Sequence, residues 1–143
     1  MVLESKTLPF EISGVLLMPR ISIGFGIALV ILGVVGYMST GGVSITALIP
    51  SAFGLLLVCA GIASYRESLR IHAMHLAVVV GVLGLLGSAN GFIGFFTLLL
   101  GGEVERPRAV VSQAIMAVLM TVFVVLCVKS FIAARRARVS DES

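Results

Sequence analysis

A stretch of 25 consecutive residues without a charged side chain, Leu76 to Leu100, constrains the fold of this chain more than any other feature. As a helix it would rise about 37 Å, at about 1.5 Å per residue. The hydrocarbon core of a bilayer is about 30 Å thick, and only helices or closed barrels satisfy their own backbone polar groups there. The stretch therefore predicts a long membrane-spanning helix.

A second uncharged stretch runs for 45 residues, from Ile21 to Tyr65. It is too long for one span and fits two, joined by a tight turn at Ser39-Thr40-Gly41-Gly42, where consecutive glycines allow the chain to reverse. With a fourth apolar segment near the C-terminus, the sequence predicts an all-α four-helix transmembrane bundle. The predicted parts are an N-terminal cytoplasmic or interfacial segment (1–20), spans at 21–38, 44–64, 76–100 and 109–132, and a basic tail (133–143).

Charge supports a membrane environment rather than a nucleic-acid partner. Only 12% of the residues are charged, about half of the roughly 25% typical of soluble domains. The net charge is +3, but the basic residues flank apolar segments and form no patch interleaved with aromatic side chains. We therefore expect the lipid bilayer as the main partner and no binding to nucleic acid.

The same charges predict the orientation. In the four-span arrangement, one side of the membrane carries eight of the ten Lys and Arg residues, and the loop with Arg106 and Arg108 carries the other two. The positive-inside rule then places both termini in the cytoplasm, as in a bacterial-type inner (plasma) membrane.

Two spans share a short pattern. Ile31-Leu32-Gly33-Val34-Val35-Gly36 resembles Val82-Leu83-Gly84-Leu85-Leu86-Gly87 at an offset of 51 residues. One interpretation is a duplication that makes two parallel helical-hairpin repeats; the other is chance, because G-x-x-G arises easily in membrane helices. In either case Gly33, Gly36, Gly84, Gly87 and Gly91 are predicted to let neighbouring helices pack closely.

Polar residues within the third span are the candidate site. Ser88 and Asn90 lie past its middle, where an unpaired amide would cost several kcal/mol. They must bond to another helix, to their own backbone, or to a bound molecule, and Gln113 on the fourth span is the expected partner. Gly87 and Gly91 bracket the two residues, so local unwinding of the helix is a further expectation. An interhelical hydrogen bond and a ligand contact both remain open.

A histidine pair offers a weaker alternative. His72 and His75 share a helix face at the cytoplasmic edge and could join Cys59 and Cys127 in a zinc or copper site. The spacing matches no ligand signature, and a pair of interfacial histidines is the favoured interpretation, so we expect no metal or cofactor. No nucleophile, Walker or metalloprotease motif occurs, and no span centre carries a charge, so we expect no enzyme.

Parts of the first hairpin resemble a known family. Gly33-Val34-Val35-Gly36-Tyr37, Gly42, Ser44-Ile45-Thr46-Ala47 and Phe53-Gly54 are similar to the first hairpin of the Transmembrane Protein 14 family, and Gly84, Gly87 and the segment 116–120 follow the same order in the second half. The chain differs from that family in its longer N-terminal segment, its histidine pair and its arginine-rich tail.

The resemblance implies a small four-helix membrane protein that passes or shields hydrophobic molecules bearing a carboxylate, such as fatty acids. We weigh two functional classes. The repeat, the resemblance and the polar pair Ser88 and Asn90 favour a carrier or channel for a hydrophobic solute. The absence of charge within the spans favours a non-catalytic accessory subunit or scaffold of a larger membrane complex. The partners we expect besides lipid are a second copy of the chain, in a homo-oligomer, or a larger membrane complex.

Overall fold

The computed structural model describes the backbone of residues 4–143 and the side chains from residue 17 onward. Within that part of the chain there are four α-helices and no strand: α1 (Glu4–Ser39), α2 (Ile49–Ala63), α3 (Arg70–Leu99) and α4 (Pro107–Glu142). Each contributes a segment long and apolar enough to cross a membrane. The predicted all-α four-helix bundle is confirmed.

The helices run alternately up and down and contact one another in a ring. The most extensive contacts join α1 to α2 and α3 to α4, and smaller ones join α2 to α3 and α1 to α4. Two hydrogen bonds fix the antiparallel first pair: the Ser22 hydroxyl donates to the Leu57 carbonyl over 3.0 Å, and the Ser51 hydroxyl donates to the Val30 carbonyl over 3.0 Å. Each serine donates to a backbone carbonyl of the other helix, so these contacts between α1 and α2 involve no charged group.

The two ends of the bundle differ in chemistry. The arginine end is the end of the bundle where the loop between α2 and α3 lies, together with the N-terminal part of α1 and the C-terminal part of α4. The charged side chains there include Arg20, Arg66 and Arg70. At the hydroxyl end, α1 meets α2 and α3 meets α4, through loops rich in serine, threonine and glycine. Ser39, Ser44 and Arg108 lie at this second end.

The predicted reversal after the first span is confirmed. Gly41 and Gly42 have φ values of +69° and +77°, in the left-handed region that glycine adopts without steric penalty. A 3₁₀ turn over Ile45–Leu48 precedes α2, so Pro50 falls in the first turn of that helix. An N–H group at that position would have no partner within the helix, and the proline therefore costs little.

The outer helices are longer than the predicted spans. α1 includes most of the predicted N-terminal segment and continues through Pro19, and α4 includes the predicted tail up to Glu142. α3 begins six residues before Leu76, at Arg70. Polar helical turns carry no hydrophobic signal, so the apolar pattern alone could not place these ends.

No unwinding occurs in α3 around Ser88. The helix stays regular through Gly87 and Gly91, and the buried Ser88 hydroxyl donates to the Gly84 carbonyl over 2.7 Å within the same helix, so no unwinding is needed to satisfy it. At about 1.5 Å per residue its 30 residues span about 45 Å. The excess length is therefore not taken up by a break at this position.

A small core holds the bundle together, and the outer surface is apolar. Leu29, Leu57, Met120 and Phe123 are fully buried. Large hydrophobic side chains such as Met38, Leu86 and Ile93 point outward and are mostly exposed. A surface of this kind would aggregate in water and is suited to contact with lipid chains.

The predicted packing glycines differ in their surroundings. A Cβ atom added at Gly91 would lie 2.6 Å from the Gln113 Cβ, and one added at Gly84 would lie 2.7 Å from the Met120 Cε. At Gly33 a Cβ would meet the Ser51 backbone nitrogen at 2.6 Å. Gly36 is in ordinary contact, with nothing closer than 3.6 Å, and at Gly87 no atom lies within 4 Å. Three of the five thus pack tightly against another helix, Gly36 packs less tightly, and Gly87 has no close neighbour.

Candidate functional site

The larger of the two main cavities opens at the arginine end, between α1, α3 and α4. Its volume is about 570 Å³, within the range of roughly 300–1,000 Å³ that is usual for ligand pockets. Its walls are mostly apolar and its rim is basic. The lining residues are Met18, Pro19, Arg70, Ile71, Met74, His75, Cys127, Ser130, Phe131, Ala134, Arg135 and Arg138.

The helical tail places two of the rim arginines. Phe131, Arg135 and Arg138 follow one another at spacings of four and three, so they share one face of α4. Arg70, at the first turn of α3, lies across the opening from them. Three guanidinium groups on one rim repel each other, and an anion between them would relieve that repulsion.

The wall beneath the rim suits a flexible apolar chain. Met18 and Met74 are adaptable side chains that fit irregular ligands. The His75 ring lies against Phe131 with 5.7 Å between ring centroids. The His75 Nδ1 lies 2.7 Å from the Ile71 carbonyl, which can only accept, so Nδ1 carries the proton. The cavity therefore combines mostly apolar walls with a basic rim.

The second cavity, of about 240 Å³, lies at the hydroxyl end, where all four helices contribute. Its polar groups are hydroxyls, one amide and one guanidinium, and Met116 and Phe53 are among its apolar lining residues. The Arg108 guanidinium donates to the Ser39 carbonyl, which ties the start of α4 to the end of α1. The polar lining residues are Ser39, Thr40, Ser44, Thr46, Ser88, Arg108, Ser112 and Gln113.

The predicted polar cluster is divided by the structure. Ser88 and Gln113 both line the cavity at the hydroxyl end. Ser88 is buried and directs its hydroxyl to its own helix, and Gln113 packs through its Cβ against Gly91. Asn90 is exposed on another face of α3 and lines neither cavity. Two of the three residues therefore share a site, and the third faces outward.

The residues of the metal hypothesis are also separated. His75 and Cys127 line the cavity at the arginine end, whereas His72 is exposed outside it and Cys59 is exposed on α2. Over the part of the chain that the structure describes, no three His, Cys, Asp or Glu side chains come together as a metal site. The described residues give the zinc or copper interpretation no support.

A packed core separates the two cavities. Met116, Met120, Phe123 and Cys127 follow one face of α4 and are all buried. The first of them lines one cavity and the last lines the other. Met120 and Phe123, between them, lie against Gly84 and Gly81 of α3. The two cavities are therefore aligned along α4 and are not connected.

The cavity at the arginine end was missed by sequence reasoning, which took the arginines of the tail as charges flanking a membrane span. The sequence pattern that could have indicated this cavity is the spacing of Phe131, Arg135 and Arg138, because it continues one face of α4 beyond the apolar segment. The contribution of α1 and the start of α3 depends on tertiary packing.

No family model, curated protein or solved structure matches the chain.

Proposed function

We propose that this protein binds an amphiphilic anion, such as a fatty acid, and carries it across the membrane. In this proposal the arginine end faces the cytoplasm, with both termini inside, and the membrane is a bacterial-type plasma membrane. The observation that carries the proposal is the cavity with apolar walls and the rim of Arg70, Arg135 and Arg138.

The chemistry of the cavity selects this class of ligand. A neutral lipid would make no charge-assisted contact with the three guanidinium groups, and a small hydrophilic anion would leave the apolar wall of Met74 and Phe131 in contact with water. A molecule with one anionic head and one apolar chain satisfies both parts. Basic pockets between helices at the cytoplasmic membrane surface also suit acidic lipid head groups.

Transport across the membrane requires the cavity at the hydroxyl end and a path through the core between the two cavities. The two cavities are aligned along α4, and the buried core between them includes Leu29, Leu57, Met120 and Phe123. Connecting the cavities would require several of these side chains to move. The similarity of the first hairpin to the Transmembrane Protein 14 family supports a hydrophobic, carboxylate-bearing solute.

Binding is tested by native mass spectrometry of the detergent-purified protein titrated with oleate, oleyl alcohol or phosphatidic acid. We expect one bound oleate or phosphatidic acid and no bound oleyl alcohol, and the adduct mass distinguishes the two anions. A variant with Arg70, Arg135 and Arg138 all changed to Gln should bind at least about tenfold less, because hydrogen bonds to charged groups contribute about 1.5–3 kcal/mol.

A matched control has the same change in net charge. Arg20, Arg66 and Arg136 are exposed and lie outside the cavity. Changing these three to Gln should leave binding within about twofold, because exposed charges contribute little at a distance. Equal loss in both triple variants, or equal binding of the alcohol, would show that the cavity does not select an anion.

The closed core favours a second candidate, an accessory subunit that holds a lipid without moving it. Phe123 and Met120 are fully buried, so no passage is open. The two candidate functions predict different rates of lipid transfer between the membrane leaflets. In proteoliposomes containing a fluorescent lipid with a charged head group, a carrier accelerates its transfer between leaflets, and an accessory subunit binds the lipid without accelerating transfer.

A further inference from the structure

Asn90 presents an amide to the outside of the bundle at a depth where lipid chains are expected. The midpoint of α3 lies between Gly84 and Leu85. Asn90 is therefore only about 8 Å along the helix axis from that midpoint, at about 1.5 Å per residue. With the midpoint near the bilayer centre, this is well within the half-thickness of about 15 Å of the hydrocarbon core.

The surrounding face of α3 has no partner among the described residues. Leu86 and Ile93, on either side of Asn90, are 68% and 69% exposed. Leu83 extends the same exposed surface toward the start of the helix. Gly87, between this face and the rest of the bundle, lines the cavity at the hydroxyl end.

An amide in this position requires a hydrogen-bonding partner. Its two N–H groups and its carbonyl cannot bond to lipid chains, and burying such a group unpaired costs several kcal/mol. Among the hydrogen bonds of the described residues, none engages the Asn90 side chain, whereas Ser88, Thr97 and Thr121 all bond to their own helices. The described residues thus offer the Asn90 side chain no partner, which favours a partner from a second molecule.

We infer that Asn90 is the centre of a homodimer interface, with α3 of one copy packed against α3 of a second copy. Two copies inserted in the same orientation are related by an axis along the membrane normal, which places each residue at the same depth as its counterpart. The Asn90 side chains of the two copies therefore lie opposite each other. An amide both donates and accepts, so the two side chains satisfy each other and no further polar residue is needed.

The dimer leaves the proposed binding site unobstructed. Asn90 and Ile93 line neither cavity, so the interface and the arginine rim lie on different surfaces. The inference does not rest on the proposed function. Failure of lipid binding would leave it unaffected, and a monomeric protein would leave the proposed lipid site unaffected.

The test is Förster transfer between donor- and acceptor-labelled copies in liposomes, as the ratio of protein to lipid is lowered. We expect transfer that depends on this ratio for the wild type. Asn90→Leu should raise the protein-to-lipid ratio needed for half-maximal transfer on the order of tenfold, since interhelical polar contacts in model peptides are worth about 1–2 kcal/mol. Asn90→Gln restores an amide and should retain most of the dimer.

A pair of isoleucine variants tests the geometry. Ile93→Ala removes an apolar side chain beside Asn90 and should weaken the dimer, whereas Ile31→Ala, at a similarly exposed position on α1, should not. The Gln and Ile31 variants show whether loss of transfer reflects the interface rather than misfolding. A wild type that is monomeric at every ratio, or an Asn90→Leu variant that dimerises equally well, would overturn the inference.

Discussion

The Phe25 ring on α1 lies against the Phe123 ring on α4, with 5.5 Å between centroids and 52° between ring planes. Tilted pairs at this distance are favourable for aromatic rings. The contact joins the α1–α2 pair to the α3–α4 pair, and Phe123 is fully buried between the two cavities. Phe123 thus both holds the bundle together and closes its interior.

Changing Phe123 to Ala should weaken the bundle and loosen the core between the cavities. Removing a buried phenylalanine costs about 3–5 kcal/mol where the surroundings cannot collapse, so the temperature of unfolding in detergent should fall. Transfer of the fluorescent lipid between leaflets should increase, because the core that separates the cavities loses its largest side chain. Phe96→Ala is the matched control, since Phe96 is 61% exposed and should change neither quantity. A large effect of the Phe96 variant, or slower transfer with Phe123→Ala, would contradict the role of Phe123.

A methyl group at Gly54 should separate α1 from α2. Its Cβ would lie 2.8 Å from the Val30 backbone nitrogen, and backbone cannot move aside as a side chain can. Overpacking of this kind costs about 1–3 kcal/mol. Gly54→Ala should therefore lower thermal stability in detergent, whereas Gly24→Ala, with no neighbour within 4 Å, should not. Equal stability of the two variants would contradict the close packing of α1 and α2.

Cysteine labelling should distinguish the polar cavity from the outward face of α3. In a background with Cys59→Ala and Cys127→Ala, Gln113→Cys should react with a small, charged, membrane-impermeant thiol reagent, because Gln113 lines a polar cavity at the hydroxyl end. Asn90→Cys should react far more slowly, since its face is directed toward lipid or a second copy. The rates are read from intact-protein mass spectra of labelled proteoliposomes. Similar rates at both positions would contradict the separation of Asn90 from the cavity.

The same reagent tests the orientation. Added outside intact cells, it should reach Gln113→Cys, because the hydroxyl end is proposed to face away from the cytoplasm. A cysteine at Ser130, which lines the cavity at the arginine end, should react only after the cells are opened. The reverse pattern would show that the bundle is inserted the other way.

The long uncharged stretches predicted four helices and the turn at Gly41 and Gly42, because lipid restricts the backbone to helices and only glycine adopts that turn without penalty. The helix ends were harder to place. The first turns of α1 and the last turns of α4 are polar, and a polar helical turn has the same composition as a loop. Arg135 and Arg138 were therefore interpreted as flanking charges rather than as part of a rim.

The polar cluster shows a different difficulty. Ser88 and Asn90 are only two residues apart, but on a helix that separation rotates their side chains by about 200°, since each residue turns about 100°. One faces a cavity and the other faces outward. Because Ser88 and Asn90 are close in sequence, they were assigned to a common site. The helical period places them on different faces of α3, and only the packing of the bundle shows which of the two faces inward.

The central claim is that the apolar wall beneath the arginine rim holds the chain of an amphiphilic anion. It is tested most directly by photoaffinity labelling in proteoliposomes, with a fatty acid that carries a diazirine on the part of its chain nearest the carboxylate. Peptide mass spectrometry should place the label on Met74, Phe131 and their neighbours in the cavity, and excess oleate, but not oleyl alcohol, should remove it. Labelling spread over outward-facing residues such as Leu86 and Ile93, and unaffected by oleate, would contradict the claim.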